Sequence, residues 1–162
     1  MEIPPNWTWR ADPPEFRRAA VIDVDGVISD GWHRQHHLDG DSKNWDSFFE
    51  EVNADPPIRS LIGLLAMIDR DIVVILLTAR PHWVRQMTLD WLAENEVRWD
   101  LLAMRGESDG YVAAHDFKRG TVGQLRELGF ELLVALEDDP GNVAMFNEEG
   151  VPCVYIHSGY YE

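Results

Sequence analysis

The chain of 162 residues is poor in positive charge. It has 14 Lys and Arg against 29 Asp and Glu, which gives a net charge of −15. This deficit argues against a broad nucleic-acid-binding face, because such faces need clustered Lys and Arg. It is compatible with a local basic pocket for one phosphate. The surplus of acids also favours a site where several carboxylates share one cation.

Cysteine and long apolar runs are scarce as well. The single cysteine, Cys153, excludes an internal disulfide and suits a reducing compartment. Because Cys153 begins an apolar stretch, we expect a buried core thiol rather than a nucleophile. The apolar run 72–77 is too short to cross a bilayer, and residues 1–5 do not resemble the start of a secretory signal. We therefore expect a cytoplasmic protein without a membrane partner.

Apolar strand patterns alternate with helical patterns along most of the chain. Residues 1–18 are rich in proline and contain Trp7 and Trp9, so we predict an irregular arm pinned by its tryptophans. Residues 19–162 are predicted to form one domain. Uniformly apolar strands between helices indicate an α/β three-layer sandwich with a Rossmann-like parallel sheet. Strands are predicted at 19–25, 72–77, 99–104, 132–136 and 153–156, and helices at 44–51, 57–70, from 81 onward, 116–128 and 141–149.

Polar side chains follow the predicted strands at the point where each strand ends. Asp23 and Asp25 close the first strand on the same side, and Gly26 allows a sharp turn or a close ligand approach. Carboxyl ends of parallel strands meet at one edge of the sheet, where ligands bind. The other polar groups expected at this edge are Thr78, Ala79, Arg80, Arg105, Glu137, Asp138 and Asp139.

This combination of residues predicts metal-assisted phosphoryl transfer. Crowded carboxylates repel each other, and a hard divalent cation, most simply Mg²⁺, would neutralise them. Asp23 would attack phosphorus and Asp25 would transfer protons, with a pKa raised by neighbouring acids. Thr78 would hold the phosphoryl group, and Lys118 would screen its charge. Arg80 and Arg105 would bind an anionic substrate.

Asp23-x-Asp25-Gly26, Thr78-x-Arg80, Lys118 and the Glu137-Asp138 pair resemble the four motifs of the haloacid-dehalogenase (HAD) superfamily. More narrowly, residues 19–160 resemble the 3′-phosphatase domain of bacteriophage polynucleotide kinase–phosphatases. The resemblance implies Mg²⁺ bound by the Asp23 carboxylate, the Asp25 backbone carbonyl and an acid at 137–138. It also implies that Gly26, Ala79, Arg80 and Arg105 line the substrate. Val27 and Glu137 depart from the usual threonine and aspartate.

The expected substrate class follows from the short gaps between motifs. Residues 27–57 and 81–117 leave room for at most a minimal cap, and the resemblance associates an open crevice with macromolecular substrates. This favours a 3′-phosphorylated DNA or RNA end, recognised over one or two nucleotides because of the charge of −15. Aromatic residues of the first gap either stack on a terminal base or pack a small lid. They are Trp32, Trp45, Phe48 and Phe49.

The sequence is compatible with several alternative functions and partners. Free nucleotides and other small phosphomonoesters are alternative substrates, and a non-catalytic binding or regulatory module is an alternative of another class. A separately encoded kinase is a candidate partner. His33, His36 and His37 form a tract that either contacts substrate or binds zinc.

Overall fold

A computed structural model describes residues 2–110 and 112–162. Position 1 of the predicted arm and position 111 of the loop between the third strand and the next helix lie outside the described residues. None of the helices in these ranges is long and apolar enough to cross a membrane.

A six-stranded sheet forms the centre of the molecule. In spatial order the strands are β1, β4, β3, β2, β5 and β6, and all neighbours are parallel except β1 and β4. The predicted α/β architecture is therefore confirmed. The strands are β1 (Trp7–Trp9), β2 (Arg18–Ile22), β3 (Val73–Pro81), β4 (Leu101–Arg105), β5 (Glu131–Glu137) and β6 (Cys153–Tyr155). The α-helices are α1 (Trp45–Glu50), α2 (Arg59–Ala66), α3 (Arg85–Glu94), α4 (Ala114–Glu127) and α5 (Pro140–Glu148).

The central strands are apolar on both faces because helices cover both sides of the sheet. In β3, Val73 to Thr78 are all buried. Alternate residues of the strands join two separate clusters: Ile22 and Leu76 pack with α2 and α3, whereas Val21 and Ile75 pack with α4 and α5. This arrangement gives the predicted three layers.

The N-terminal arm differs from the prediction of an irregular segment. Trp7 to Trp9 pair with β4 in the antiparallel direction, with Trp7 opposite Ala103. Trp7 is buried at 6% exposure, and Trp9 stacks on Phe130 with ring centroids 6.3 Å apart. The prediction that the tryptophans pin the arm is thus confirmed, but the arm also covers an edge of the sheet.

Other differences are local. The predicted loop 26–43 contains a 3₁₀ helix, Trp32–Leu38, and the helix expected from Pro81 begins at Arg85 because β3 runs on to Pro81. Cys153 is only partly buried rather than fully enclosed, and burial raises the pKa of its thiol to about 11, which makes it a poor nucleophile.

Candidate active site

The segment Asp23–Gly26 lies at the carboxyl edge of the sheet, between the ends of β3 and β5. The Asp23 backbone N–H donates to the Leu136 carbonyl at 3.0 Å, which extends the β2–β5 pairing as far as the first aspartate. The chain then turns, because Gly26 N–H bonds to the Ser29 carbonyl at 2.9 Å. The sheet therefore presents Asp23 and Asp25 at its edge, as the sequence predicts.

Gly26 is needed at this turn for two reasons. Its φ of +79° lies in the left-handed region, which strains other residues. A Cβ at this position would also lie 2.1 Å from Asp138 Oδ2. Gly26 therefore allows the Asp138 carboxylate to pack directly against the backbone of the aspartate turn.

Lys118 joins two of the acids from the side of α4. This lysine is almost fully buried, and its Nζ lies 2.9 Å from Asp23 Oδ1 and 2.7 Å from Glu137 Oε2. The amphipathic pattern of α4 turns Lys118 toward the sheet together with Phe117 and Thr121. Burial opposes charge on the lysine, but Asp23 and Glu137 outweigh it and raise the Lys118 pKa, so the ammonium form persists.

Glu137 and Asp138 have different surroundings. Glu137 Oε1 accepts hydrogen bonds from the N–H groups of Asp138 and Asp139 at 3.0 and 3.2 Å. Because Glu137 Oε2 binds Lys118, both oxygens of this carboxylate have partners. Both carboxylate oxygens of Asp138 are buried without a hydrogen-bond partner among the described residues. Asp139 instead caps α5, its Oδ1 accepting Gly141 N–H at 2.8 Å. Of the three acids, Asp138 is therefore the one with both carboxylate oxygens buried and unpartnered within the described residues.

These acids compete for one lysine. Burial and then Glu137 raise the Asp23 pKa well above its usual range, although Lys118 opposes them. Burial would also raise the Glu137 pKa, but Lys118 outweighs it and the net shift is downward. Burial raises the pKa of Asp138 to about 7. The cluster thus has more negative charge than Lys118 neutralises.

A magnesium ion fits this cluster. Carboxylate oxygens from Asp23, Glu137 and Asp138 come within 4.8 Å of one another, and oxygen ligands are those that Mg²⁺ prefers. The unpartnered, buried oxygens of Asp138 are the strongest sign, because orphaned buried carboxylate oxygens are costly unless something binds them. The residues present therefore suit the cation that the sequence predicts.

Asp25 has cationic neighbours. The Arg80 guanidinium binds it through Nε at 3.1 Å to both carboxylate oxygens and through Nη2 at 2.9 Å, and Arg34 Nη2 forms a further ion pair. Burial alone would raise the Asp25 pKa, but the two arginines outweigh it and lower the pKa. The expectation of a pKa raised by neighbouring acids is therefore wrong: the loop after β2 supplies Arg34 instead.

A buried carboxylate lies on the far side of both arginines. Asp55 is fully buried in its side chain and binds Arg34 Nε at 2.8 Å and Arg34 Nη2 at 2.7 Å, with Arg80 Nη2 at 3.3 Å. Ser29 Oγ and His33 Nε2 also bond to it. Sequence reasoning missed Arg34 and Asp55, which lie inside the first gap. Their only local signal was ionisable residues within a long loop next to the aspartates.

The remaining predicted residues occupy different positions around the edge. Thr78 is fully buried, and its Oγ1 accepts Arg80 N–H at 3.1 Å. Arg80 is also fully buried, so it holds Asp25 rather than reaching toward substrate. Arg105 is partly exposed, with its guanidinium over the Phe117 ring and Nε 3.4 Å from the Ala79 carbonyl. Contact of Ala79 and Arg105 with substrate stays a prediction.

The aromatic residues of the first gap divide into two groups. Trp45, Phe48 and Phe49 pack on one another, with ring centroids 5.1–5.9 Å apart. The Phe48 ring also lies against the Arg34 guanidinium, at 4.2 Å from its centroid, so this group packs within the protein, and its role as a lid stays a prediction. Trp32 lies apart and is 64% exposed.

The histidine tract does not converge as a metal site. His33 Nε2 bonds to Asp55 at 2.8 Å, and His37 Nε2 bonds to Glu51 at 2.9 Å. Within residues 2–110 and 112–162, the group of acids around Asp138 is the one whose ligand atoms come close enough to share an ion. The structure therefore gives no support to zinc binding by the histidines.

The strand order and the position of these groups at the sheet edge define an α/β fold of the HAD-like type. No protein-family model and no curated protein matches the sequence, but solved structures match over nearly the whole chain. A Pnkp1/Rnl/Hen1 RNA repair complex matches with a TM-score of 0.72 and 22% identity over 93% of this chain. This chain spans 45% of the length of that relative.

Two further solved structures show the same fold. The class C acid phosphatase from Bacillus anthracis matches with a TM-score of 0.62 and 13% identity, over 91% of this chain and 69% of that one. A haloacid dehalogenase-like hydrolase, SP0104 from Streptococcus pneumoniae, matches with a TM-score of 0.60 and 14% identity, over 91% of this chain and 87% of that one. The HAD-like fold expected from the four motifs is confirmed. Identities this low establish the fold and leave activity to be argued from the site.

Proposed function

We propose that the protein is a Mg²⁺-dependent phosphomonoester hydrolase that acts through an aspartyl-phosphate on Asp23. The observation that carries the proposal is the contact set around Asp23, where Lys118 binds one carboxylate oxygen at 2.9 Å and Asp138 lies close by with unpartnered oxygens. A nucleophilic carboxylate beside the buried Lys118 ammonium group and a second carboxylate with unpartnered oxygens suits attack on a phosphoryl group.

Asp23 attacks phosphorus, and the bond between phosphorus and the leaving oxygen breaks as the Asp23–phosphorus bond forms. Asp25 donates a proton to that leaving oxygen. In the second step a water molecule attacks phosphorus and gives its proton to Asp25, and the aspartyl-phosphate bond breaks to release inorganic phosphate. The lowered pKa of Asp25 keeps its carboxylate ionised in the free protein, and a pKa this low makes a weak base and a poor proton donor. An anionic phosphate beside Asp25 raises its pKa for the acid role.

Lys118 and the backbone of the aspartate turn position the nucleophile. Lys118 holds Asp23 Oδ1 and offers positive charge to the incoming phosphate, and Arg34 with Arg80 orients Asp25. Asp23, Asp138 and the Asp25 carbonyl would hold Mg²⁺, with Glu137 oriented toward Lys118 and the backbone. When bound, Mg²⁺ supplies neutralising charge for the acids and the phosphoryl oxygens.

We propose a 3′-phosphorylated DNA or RNA end as the substrate. Within the described residues, the first gap contributes short helices alone, of which α1 has six residues, and such a small cap leaves room for a macromolecule. The similarity to a chain of an RNA repair complex supports the same substrate class, and a separate kinase partner is proposed on that ground. Free nucleotides are the second candidate, because the charge of −15 disfavours a long polyanion.

Phosphate release from four substrates, with and without Mg²⁺, tests the proposal. They are a 3′-phosphorylated oligonucleotide, a 3′-mononucleotide, a 5′-mononucleotide and an aryl phosphate. We expect Mg²⁺-dependent release, fastest from the oligonucleotide. Faster release from mononucleotides would contradict the choice of substrate but keep the chemistry. Absence of phosphate release from all four substrates would contradict an enzymatic function and favour a binding or regulatory module.

Substitution of the nucleophile provides the matched control. Asp23→Asn keeps the size of the side chain but removes the attacking oxygen, so we expect turnover to be abolished while the unfolding temperature changes little. Residual activity within tenfold of the parent would rule out Asp23 as nucleophile.

Lys118→Ala should lower kcat by about 10²–10³-fold, as for loss of one group that stabilises transition-state charge.

A further inference from the structure

The exposed residue Trp32 follows Gly31, which borders the proposed catalytic groups. A Cβ on Gly31, the preceding residue, would come within 2.9 Å of Arg34 Nη2, and that nitrogen forms the ion pair with Asp25. Consecutive Cα atoms are about 3.8 Å apart, so the Trp32 Cα lies within about 11 Å of the Asp25 carboxylate. This is comparable to the span of a nucleotide from its 3′-phosphate to the far edge of its base.

Trp32 is held in place from two sides. Its backbone N–H donates to Asp30 Oδ1 at 3.0 Å, and the Tyr160 hydroxyl donates to the same oxygen at 3.0 Å. The Tyr160 ring stacks on Trp32, with centroids 6.2 Å apart and planes 26° apart. Tyr160 comes from the C-terminal segment, where Ser158 packs near Gly26. Two segments that contact the catalytic edge therefore meet at this aromatic pair.

Tyr160 backs Trp32, yet 64% of the tryptophan stays exposed. Because the indole is already held in position, stacking of a planar group on it costs little conformational entropy. The molecule's excess of acids repels the phosphates of a nucleic acid, so contacts that do not depend on charge have to contribute to binding. Stacking on a base is such a contact, and any of the bases provides it.

We propose that Trp32, backed by Tyr160, stacks on the base of the nucleotide that carries the 3′-phosphate. This inference rests on the proposed function and specifies how the substrate is recognised. Phe48 is buried and Phe49 is partly buried, so neither offers a free face to a base, and Trp45, which is less exposed than Trp32, serves as the comparison in the test.

The test compares Trp32→Ala and Trp32→Phe with Trp45→Ala, a control tryptophan that is 48% exposed. Three substrates are used: a 3′-phosphorylated oligonucleotide, the same oligonucleotide with an abasic terminal residue, and an aryl phosphate. We expect Trp32→Ala to raise KM for the first by about 5–150-fold, in line with measured base stacking. It should leave KM for the other two within about twofold. Trp32→Phe should restore most of the affinity, and Trp45→Ala should show no dependence on the base.

Binding of 5′-labelled oligonucleotides in EDTA, followed by fluorescence anisotropy, separates this inference from the proposed function. Loss of affinity in Trp32→Ala for the normal end but not for the abasic end supports the inference, even if no substrate is hydrolysed. Equal losses for both ends, or no loss for either, overturn it, even if hydrolysis of 3′-phosphates is observed.

Discussion

At the scale of single residues, the unequal surroundings of Glu137 and Asp138 are the most informative feature. They are neighbours in sequence and both buried, but the Glu137 carboxylate accepts three hydrogen bonds, whereas the Asp138 carboxylate has no hydrogen-bond partner among the described residues. A carboxylate with partners stabilises the fold, whereas one without partners costs stability until a ligand binds it. From the sequence alone, any of the acids at 137, 138 and 139 is a candidate metal ligand.

Asp138 should make the stability of the metal-free protein depend on pH. Its pKa, raised by burial to about 7, exceeds the unfolded value, so its favourable contribution is full at low pH and is lost as pH rises to about 7. Burial shifts the Asp23 pKa in the same direction. In EDTA we expect the wild type to lose about 2 kcal/mol between pH 5.5 and pH 8 through Asp138, at about 1.4 kcal/mol per pH unit.

Asp138→Asn should reduce that pH dependence and remove the stabilisation that Mg²⁺ gives at pH 8. Thermal unfolding at both pH values, with Mg²⁺ or EDTA, measures both effects. Glu137→Gln is the matched control. It should weaken the contact with Lys118, lower stability at both pH values by about 1–3 kcal/mol, and keep a response to Mg²⁺. Normal Mg²⁺ stabilisation of Asp138→Asn would show that Asp138 is not a ligand.

Asp55 provides a second residue-scale prediction. It lies between Arg34 and Arg80 on the side away from Asp25, so Asp55→Asn leaves two buried guanidinium groups undercompensated. We expect a loss of about 3–5 kcal/mol, as for a broken buried ion pair, and a lower kcat because the arginines no longer hold Asp25 in one orientation. Unfolding and kcat are measured together on Asp55→Asn and on Glu50→Gln, a control on the exposed side of α1. An unchanged kcat in folded Asp55→Asn would contradict a positioning role.

At the scale of elements, the sequence predicts most of the structure and fails where partners are distant. Uniform apolar runs identify the central strands, because burial on both faces leaves no alternation. The polar residues at the strand ends point to Asp23 and Asp138 as site candidates, and the structure places Lys118 of α4 beside Asp23. The pattern of residues 1–18 gave no strand, since β1 has only three residues and exists through pairing with β4. Arg34 and Asp55 were missed because nothing local reveals a contact across 21 residues.

The edge strand β1 should contribute strongly to stability. Trp7 fills a site on the β4 side of the sheet at 6% exposure, so Trp7→Ala should cost about 3–5 kcal/mol, typical of buried aromatic truncations. Trp9→Ala should cost less, because Trp9 is only partly buried. Urea unfolding of both variants gives the comparison. Equal small losses would show that β1 is only loosely attached to the sheet.

At the scale of the whole molecule, the net charge of −15 coexists with a site that we propose binds an anionic substrate. Within the site, positive and negative groups are paired locally. Arg34 and Arg80 balance Asp25 and Asp55, and Lys118 with a divalent cation would balance Asp23, Glu137 and Asp138. Neither group leaves surplus positive charge for a long run of phosphates. Recognition of a nucleic-acid end is therefore expected to be confined to the terminal nucleotide or two.

This confinement predicts weak dependence on salt and on substrate length. Each phosphate neutralised on a single strand contributes about −0.7 to the slope of log affinity against log salt, so one or two contacts give a slope no steeper than about −1.5. We expect kcat/KM for 3′-phosphorylated oligonucleotides of two, four and ten nucleotides to agree within about threefold at fixed Mg²⁺. Titration of KCl from 50 to 300 mM on each length measures both effects. A steep slope that grows with length would show an extended basic path that the acidic surface argues against.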